Sequence, residues 1–391
     1  MVLAHKVSSL SPSPTLAITA KANRMKKEGI HVIDFDTPQN IKEAAVAALR
    51  KGLTKYTPSS GIPELKEAIV RKFQKDNGLE YKPENIIVSC GAKHTIFNAV
   101  LALCEEGDEV LLPAPFWVSY PEMIKLTGAK TVLLPTTAAD GFKVTAEQLK
   151  KAITPKTKLF ILNSPSNPTG MMYSEKDLRE IGTVLAGAGV WCLSDEIYEK
   201  LCYDGHRHVS IASLGGDIQD KTIVVNGVSK SYAMTGWRIG YAAGPKEVVQ
   251  AMSNLQDHST SNPTSISQWA TVEALNGPQD EVERMRVEFQ KRRDGMVQLL
   301  SAIPGLSVGL PQGAFYCFVD VSGLFGKKYN GQPIGGSLSV TDLLLTEARI
   351  AVVPGCVFGD DRCVRLSYAT SMENIAEGLK RFADFVKKVS V

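Results

Sequence analysis

The chain lacks any apolar run approaching the ~18 residues that span a bilayer. Its Ser/Pro-rich first stretch, Met1 to Lys21, has no continuous apolar core behind a basic start, so neither a membrane span nor a secretory signal is expected. The seven cysteines (Cys90, Cys104, Cys192, Cys202, Cys317, Cys356, Cys363) are odd in number, scattered and never spaced C-x-x-C. Most sit inside apolar runs, which reads as buried free thiols in a reducing, cytoplasmic compartment. Charge of one sign is also scarce: the net charge is +3 with acids and bases interleaved, so the basic stripe of a nucleic-acid binder is absent. There is no H-E-x-x-H, no G-x-S-x-G, no Walker loop and no G-x-G-x-x-G at a strand–helix turn. The six histidines show no metal-ligand spacing. Zinc peptidases, serine hydrolases and dinucleotide-binding proteins fall away together.

What is present is long and regular. A chain of 391 residues with 44% hydrophobic content has room for two domains and a sizeable core. Short apolar runs at Asn85–Cys90, Glu109–Ala114, Lys158–Ser164, Gly189–Asp195 and Thr222–Gly227 alternate with amphipathic stretches at Ile62–Lys75, Thr95–Cys104 and Glu175–Ala188. Near-continuous apolar strands separated by helices predict an α/β fold, with a mostly parallel sheet covered on both faces. Ligands then belong beyond the carboxyl ends of the strands. After Gly277-Pro278 the pattern changes to a charged helix (Asp280–Ile303), strand-like pieces at Gly313–Val321, Ile350–Pro354 and Val364–Ala369, and a last helix, Met372–Lys388. The expectation is a large domain over 39–277 and a smaller α+β domain from 278–391 joined by an N-terminal arm, 1–38.

The polar motifs fall at those strand ends. Asn226-Gly-Val-Ser-Lys-Ser-Tyr-Ala-Met-Thr-Gly-Trp-Arg238 follows the strand Thr222–Val225 and sets Lys230 and Arg238 on one Ser/Gly-rich loop. An amine can form an imine with an aldehyde while a guanidinium grips a phosphate in a planar fork, and pyridoxal phosphate carries both groups. A solvated basic loop is the competing reading, so the rest of such a site must be found. Ser89-Cys-Gly-Ala-Lys-His94 opens a helix with small residues, a ready anion site. In Ser164-Pro-Ser-Asn-Pro-Thr-Gly170, Asn167 is held extended by the following proline, whether as a rigid turn or to project its amide over the strand ends. Asp195, in Leu193-Ser-Asp-Glu-Ile-Tyr198, ends an apolar strand, where it either caps a helix or meets a buried cation such as a protonated pyridine nitrogen. Tyr198 is within reach of that ring's phenolic oxygen. Arg365 alternates with Val364 and Leu366, which points it away from them, toward a carboxylate or a structural ion pair. Trp117 follows a strand, where an aromatic ring either fills the core or stacks on a flat ligand.

Taken in this order the motifs resemble the fold-type I pyridoxal-phosphate enzymes, and within them the class-I aminotransferases of the bacterial and plastid aspartate/prephenate subgroup. The resemblance runs from Ser11-Pro-Ser-Pro-Thr15 to the last helix. It is carried most specifically by Lys55-Tyr-Thr57, Gly91-Ala-Lys93, Asn167-Pro-Thr-Gly170, Ser194-Asp-Glu-Ile-Tyr198, Ser229-Lys230, Met234-Thr-Gly-Trp-Arg238 and Arg365-Leu-Ser-Tyr-Ala-Thr370. It implies pyridoxal 5'-phosphate as cofactor, with Lys230 as the imine-forming amine and proton shuttle, Asp195 on the pyridine nitrogen, Asn167 and Tyr198 on the ring oxygen, and Trp117 on the ring face. Gly91, Ala92, Lys93, Ser229 and Arg238 would surround the phosphate. Tyr56 would reach it from the neighbouring subunit of a homodimer.

Arg365 would hold the substrate's α-carboxylate, with Trp117 and Asn167 beside it, while Thr15 and Lys93 would recognise a distal one. The implied reaction is ping-pong transfer of an amino group between aspartate or glutamate and 2-oxoglutarate or oxaloacetate. Prephenate as acceptor is an alternative, weakened by Ser11, where many members carry lysine; a C–S lyase or decarboxylase on the same fold is another. A non-catalytic ligand sensor on this fold would carry a fused DNA-binding segment or lose the lysine, which is present here. Relative to the family, a segment ending Gly-Glu-Pro is missing before Asp34-Phe-Asp-Thr-Pro38. A mobile substrate-closing loop is therefore expected to be absent at Ile33–Asp34, a break that a Cα separation well beyond ~3.8 Å would mark.

Overall fold

The computed structural model describes residues 4–11 and 36–390. Thr15 and the Ile33–Asp34 junction lie outside them. Seven strands form the main sheet: β1 (Ile86–Ser89), β2 (Glu109–Ala114), β3 (Lys130–Pro135), β4 (Thr157–Asn163), β5 (Trp191–Asp195), β6 (Thr222–Gly227) and β7 (Gly240–Ala243). Their order across the sheet is β1-β7-β6-β5-β4-β2-β3. Neighbours from β6 to β3 run parallel, and β7 alone is antiparallel to both of its neighbours. The fold is α/β with a mostly parallel sheet, as the alternation of apolar runs and amphipathic stretches predicts.

Alternation along the strands sends side chains to opposite faces, and helices cover both. On one face Ile86, Val88, Val224 and Tyr241 pack with Leu65, Ile69 and Phe73 of the helix Pro63–Asn77 and Ala270 of the helix Ser265–Asn276. On the other, Ile87, Val225, Leu193 and Ile161 meet Ile96 and Val100 of the helix Ala92–Leu103 and Met252 of the helix Lys246–Asp257. These side chains are essentially inaccessible, each removed from water at a gain of about 1.5–3 kcal/mol. The helix Glu175–Ala188 spans the residues its periodicity indicates, because Ser174 accepts from the Asp177 N–H as N-cap and Gly189 (φ 68°) closes the other end.

Two strands escape the sequence pattern. β3 is a half-exposed edge, and β7 is four small or aromatic residues directly behind the Arg238 loop. A second apolar cluster gathers β9 (Tyr316–Asp320), the strand Cys363–Ser367 and the helices Asp280–Ser301 and Met372–Lys387, and it reaches back to Ile197, Tyr198, Leu201 and Tyr203 behind β5. Its four-stranded sheet runs Val353–Pro354, Cys363–Ser367, β9, β8 (Ser307–Val308). The segment after β5 is thus wedged between the two cores. All seven cysteines are free, five of them buried.

A buried ion network braces that segment. Glu196 accepts from Ser194 Oγ (2.8 Å), Ser210 Oγ (2.7 Å) and His208 Nε2 (2.9 Å). Glu199 pairs with Lys72 of the helix Pro63–Asn77 and accepts from Asn77 Nδ2 at 2.9 Å. Glu196, Glu199 and His208 lie close enough together to resemble a metal site. Both carboxylates already accept from Lys72, Asn77, His208 and the two hydroxyls, which makes the cluster a strut. Burial alone would raise Glu199, but the Lys72 ammonium, with His208 and hydrogen bonds from Lys72 and Asn77, outweighs it and holds the carboxyl at about 2. The folded-state value lies below the ordinary 4.5, so the stabilisation is complete above 4.5 and is lost as the pH falls toward 2. Lys72→Met should cost about 3–5 kcal/mol in thermal or denaturant unfolding at neutral pH, because it strands the carboxylate. Adding Glu199→Gln should return most of that, and the difference between wild type and the single variant should shrink as acid neutralises Glu199.

Candidate active site

Asp195 is the last residue of β5, at the carboxyl edge of the sheet with Asn163 of β4 on one side and Val225 of β6 on the other. It is 5% exposed. Tyr120 Oη donates to its Oδ2 at 2.6 Å and the Ile197 N–H to its Oδ1 at 3.3 Å. Among the described residues no salt bridge reaches it. Burial pushes its pKa up to about 6 against the pull of those two hydrogen bonds and of the more distant Lys230, with Glu196 adding to the rise. A buried carboxylate in that state calls for a cation.

Beside it lies a corner rich in positive charge. Gly91 (φ 90°) caps the helix Ala92–Leu103 without a side-chain bond, leaving the first-turn amides open to an anion. A side chain at Gly91 would be strained by its φ of 90° and would displace the Arg238 guanidinium. Gly240 of β7 is equally constrained, because its Cβ would strike the Ala92 backbone. Arg238 is held against this turn by bonds to Thr235 O (2.9 Å) and Cys90 O (3.2 Å), from a left-handed backbone at φ 58°. Lys93 donates to Ser119 Oγ at 3.1 Å and stands 4.9 Å from the Trp117 ring centre. Partial burial lowers its pKa, and the charges of Arg238 and Lys230 lower it further. Lys230 follows buried Ser229, its Nζ 5.5 Å from the Phe315 ring centre. Trp117 meets Tyr120 edge-on at 5.2 Å, so the phenol that bonds Asp195 also packs against Trp117.

On the opposite wall Arg365, 6% exposed in the strand Cys363–Ser367, donates to Asn167 Oδ1 at 2.8 Å. Its guanidinium lies between two rings, 4.3 Å from the centre of Tyr316 and 4.9 Å from that of Phe358. The Asn167 N–H is fixed by Asn163 Oδ1 at 2.8 Å. Tyr198 is buried, its hydroxyl 3.0 Å from that of Tyr316, and burial raises its pKa strongly.

The motif residues Gly91, Ala92, Lys93, Trp117, Asn167, Asp195, Tyr198, Ser229, Lys230, Arg238 and Arg365 thus line the strand-end region from several separate loops. Tyr56 joins none of these contacts and stands 91% exposed. Sequence reasoning missed Tyr120 and Tyr316. Tyr120 carries a signal, one helical turn after Trp117; Tyr316 carries none, since only strand register brings it to Arg365. A buried carboxylate at the end of β5, with Arg238 held separately against the Gly91 turn, suits a ligand with a basic ring nitrogen at one end and a phosphate at the other.

Comparison with known proteins points the same way. The family model for aminotransferase class I and II matches residues 29–382. An aspartate aminotransferase from Bacillus sp. (strain YM-2) is 52% identical, the alignment covering 99% of each chain. An aspartate/prephenate aminotransferase from Nitrosomonas europaea is 44% identical over 99% of this chain and 100% of its own. The crystal structure of the aspartate aminotransferase from Rhizobium meliloti superposes with a TM-score of 0.94 at 46% identity, covering both chains completely. With the family model matched over residues 29–382 and relatives and a solved structure matched along the chain, the chain belongs to the class I and II aminotransferase family.

Proposed function

We propose that this aminotransferase is a pyridoxal-5'-phosphate-dependent aspartate aminotransferase that transfers the amino group between L-aspartate or glutamate and 2-oxoglutarate or oxaloacetate. The observation that carries the reading is the buried Asp195 carboxylate, which no salt bridge reaches among the described residues, in a strand-end region where Lys93, Lys230 and Arg238 act on one another electrostatically. The names of the full-length relatives support it, and the same strand-end residues fit the cofactor. Arg238, Ser229 and the Gly91–Ala92 turn would hold its phosphate, and Asn167 and Tyr198 its ring oxygen. In this reading residues 39–277 bind the cofactor, while 1–38 and 278–391 form the arm and the smaller domain that brings Arg365. A second subunit completes the site in a homodimer, its surface Tyr56 reaching the phosphate of the neighbouring site.

Bound there, the cofactor supplies an aldehyde that takes up amines and a ring that withdraws electrons from the substrate's Cα. Asp195 holds the proton on the ring nitrogen and keeps that withdrawal strong. Arg365 turns from Asn167 to the substrate's α-carboxylate in a charge-assisted, two-bond grip. Lys93 and Thr15 select a distal carboxylate, which favours dicarboxylic acids. Lys230 Nζ takes the proton from the substrate's Cα, as general base, and later returns it as acid. The second oxoacid meets the same groups in the reverse order, which makes the kinetics ping-pong.

Half-reactions of the cofactor-loaded protein, followed by absorbance, should be fast with L-aspartate and L-glutamate and slow with neutral amino acids. Prephenate belongs in the same panel as acceptor. Release of ammonia and a lyase product in place of an oxoacid would overturn transamination. Lys230→Ala should remove the pH-dependent absorbance of the lysine-bound cofactor and lower turnover at least ~10³-fold. A second prediction has opposite signs in the two forms of the protein. Burial raises Asp195 from 3.8 to about 6, so the cofactor-free fold loses stability as the pH rises through that window and carries the full cost above it. Asp195→Asn should therefore raise the melting temperature of the cofactor-free protein near pH 8, by up to about 3 kcal/mol in stability, with the gain fading toward pH 4. The same variant should weaken cofactor binding. A loss of stability in the cofactor-free form would show that Asp195 is structural.

A further inference from the structure

Tyr316 touches two of the groups on which the reaction depends, and each through a different part of its side chain. In the antiparallel pair formed by β9 and the strand Cys363–Ser367, Arg365 stands opposite Phe318 and Ser367 opposite Tyr316. Alternation along the two strands puts Tyr316, Phe318 and Arg365 on one face, with Tyr316 diagonal to the arginine and within reach of it. The guanidinium lies over the Tyr316 ring at 4.3 Å and over the Phe358 ring at 4.9 Å, so aromatic faces orient Arg365 while its Nη1 bonds Asn167. The Tyr316 hydroxyl lies 3.0 Å from that of Tyr198, with both residues buried and their rings edge-on at 5.9 Å.

A phenol has one proton to give. Once Tyr198 directs its proton at the ring oxygen of a bound cofactor, the bond between the two hydroxyls persists only if Tyr316 donates to Tyr198. A donor behind Tyr198 polarises it and strengthens the hydrogen bond that it makes in front. We propose that Tyr316 is a positioning residue with two separable roles: its ring face orients Arg365 for the substrate carboxylate, and its hydroxyl drives the Tyr198 proton toward the cofactor. This rests on the aminotransferase site proposed above. It also makes one side chain the joint between the strand that carries Arg365 and the segment behind β5 that carries Tyr198.

Two variants separate the roles. Tyr316→Phe keeps the ring and removes the donor; Tyr316→Leu removes both. A weaker Tyr198 bond leaves more electron density on the ring oxygen, which holds the neighbouring imine proton more tightly. In Tyr316→Phe the pH midpoint of the lysine-bound cofactor's absorbance should therefore rise by about half a unit or more, with KM for aspartate within about twofold of wild type. In Tyr316→Leu the midpoint should rise as much, and KM for aspartate should increase about tenfold. Circular dichroism and thermal unfolding establish that each variant is folded, and Tyr316→Phe alone decides the hydroxyl's role should the leucine variant not fold. An unmoved midpoint in Tyr316→Phe overturns the hydroxyl role, and a KM that rises equally in both variants overturns the role of the ring face. If wild-type protein loaded with pyridoxal phosphate shows no pH-dependent band, the site reading fails and this proposal fails with it. A normal wild-type band with unmoved variants removes the proposal alone.

Discussion

A carboxylate buried at the end of a central strand, met among the described residues by a phenol and a backbone amide but by no cation, organises this molecule. Asp195 is placed there by β5, which lies between β4 and β6 and is sealed on both faces. The same three strand ends deliver the other groups: Asn163 and then Asn167 after β4, Tyr198 after β5, Ser229 and Lys230 after β6. An ionised group in that position is held out of its ordinary range by burial, and the protein tolerates the cost in one place by bracing everything around it. Glu196 and Glu199, the next acids along, are both satisfied, by two serines and His208 and by Lys72 and Asn77. Of the three acidic side chains on this segment, the one that ends the strand has no salt-bridge partner among the described residues.

Close packing on the other side of the site is as restrictive. The anion corner exists because Gly91 turns at φ 90° beside the Arg238 guanidinium, and because Gly240, where a Cβ would strike the Gly91–Ala92 backbone, lets β7 pass close to that turn. The antiparallel strand β7 serves that contact, threading between β1 and β6 so that the helix N-terminus and Arg238 share one spot. Arg365, by contrast, is held by aromatic faces and by a single hydrogen bond to Asn167, an arrangement in which the guanidinium can change partners without losing its shelter.

Much of this was legible in the sequence, for identifiable reasons. Five of the seven sheet strands are continuous apolar runs, and Lys230, Asp195, Asn167 and Arg238 each follow one. β7 was not legible, since Gly240-Tyr-Ala-Ala243 has neither the length nor the branched residues of a strand and exists through its neighbours. β3 was hidden by its half-exposed pattern at the sheet edge. The Lys72–Glu199 pair joins positions far apart in sequence, and Lys72 reads there as one more solvated helix charge. Tyr316 looks like core in a run of aromatics until strand register sets it beneath Arg365. Thr15 and the Ile33–Asp34 junction fall outside the described residues.

The central claim is that Asp195 is kept free of protein cations so that it can hold a proton on the nitrogen of a bound pyridine ring. Nitrogen-15 NMR of the protein loaded with ¹⁵N-labelled pyridoxal phosphate reads that proton directly. At a pH well above the ordinary titration of the ring, the wild-type spectrum should show a protonated, cationic pyridine nitrogen. A neutral nitrogen in the wild-type protein would contradict the account.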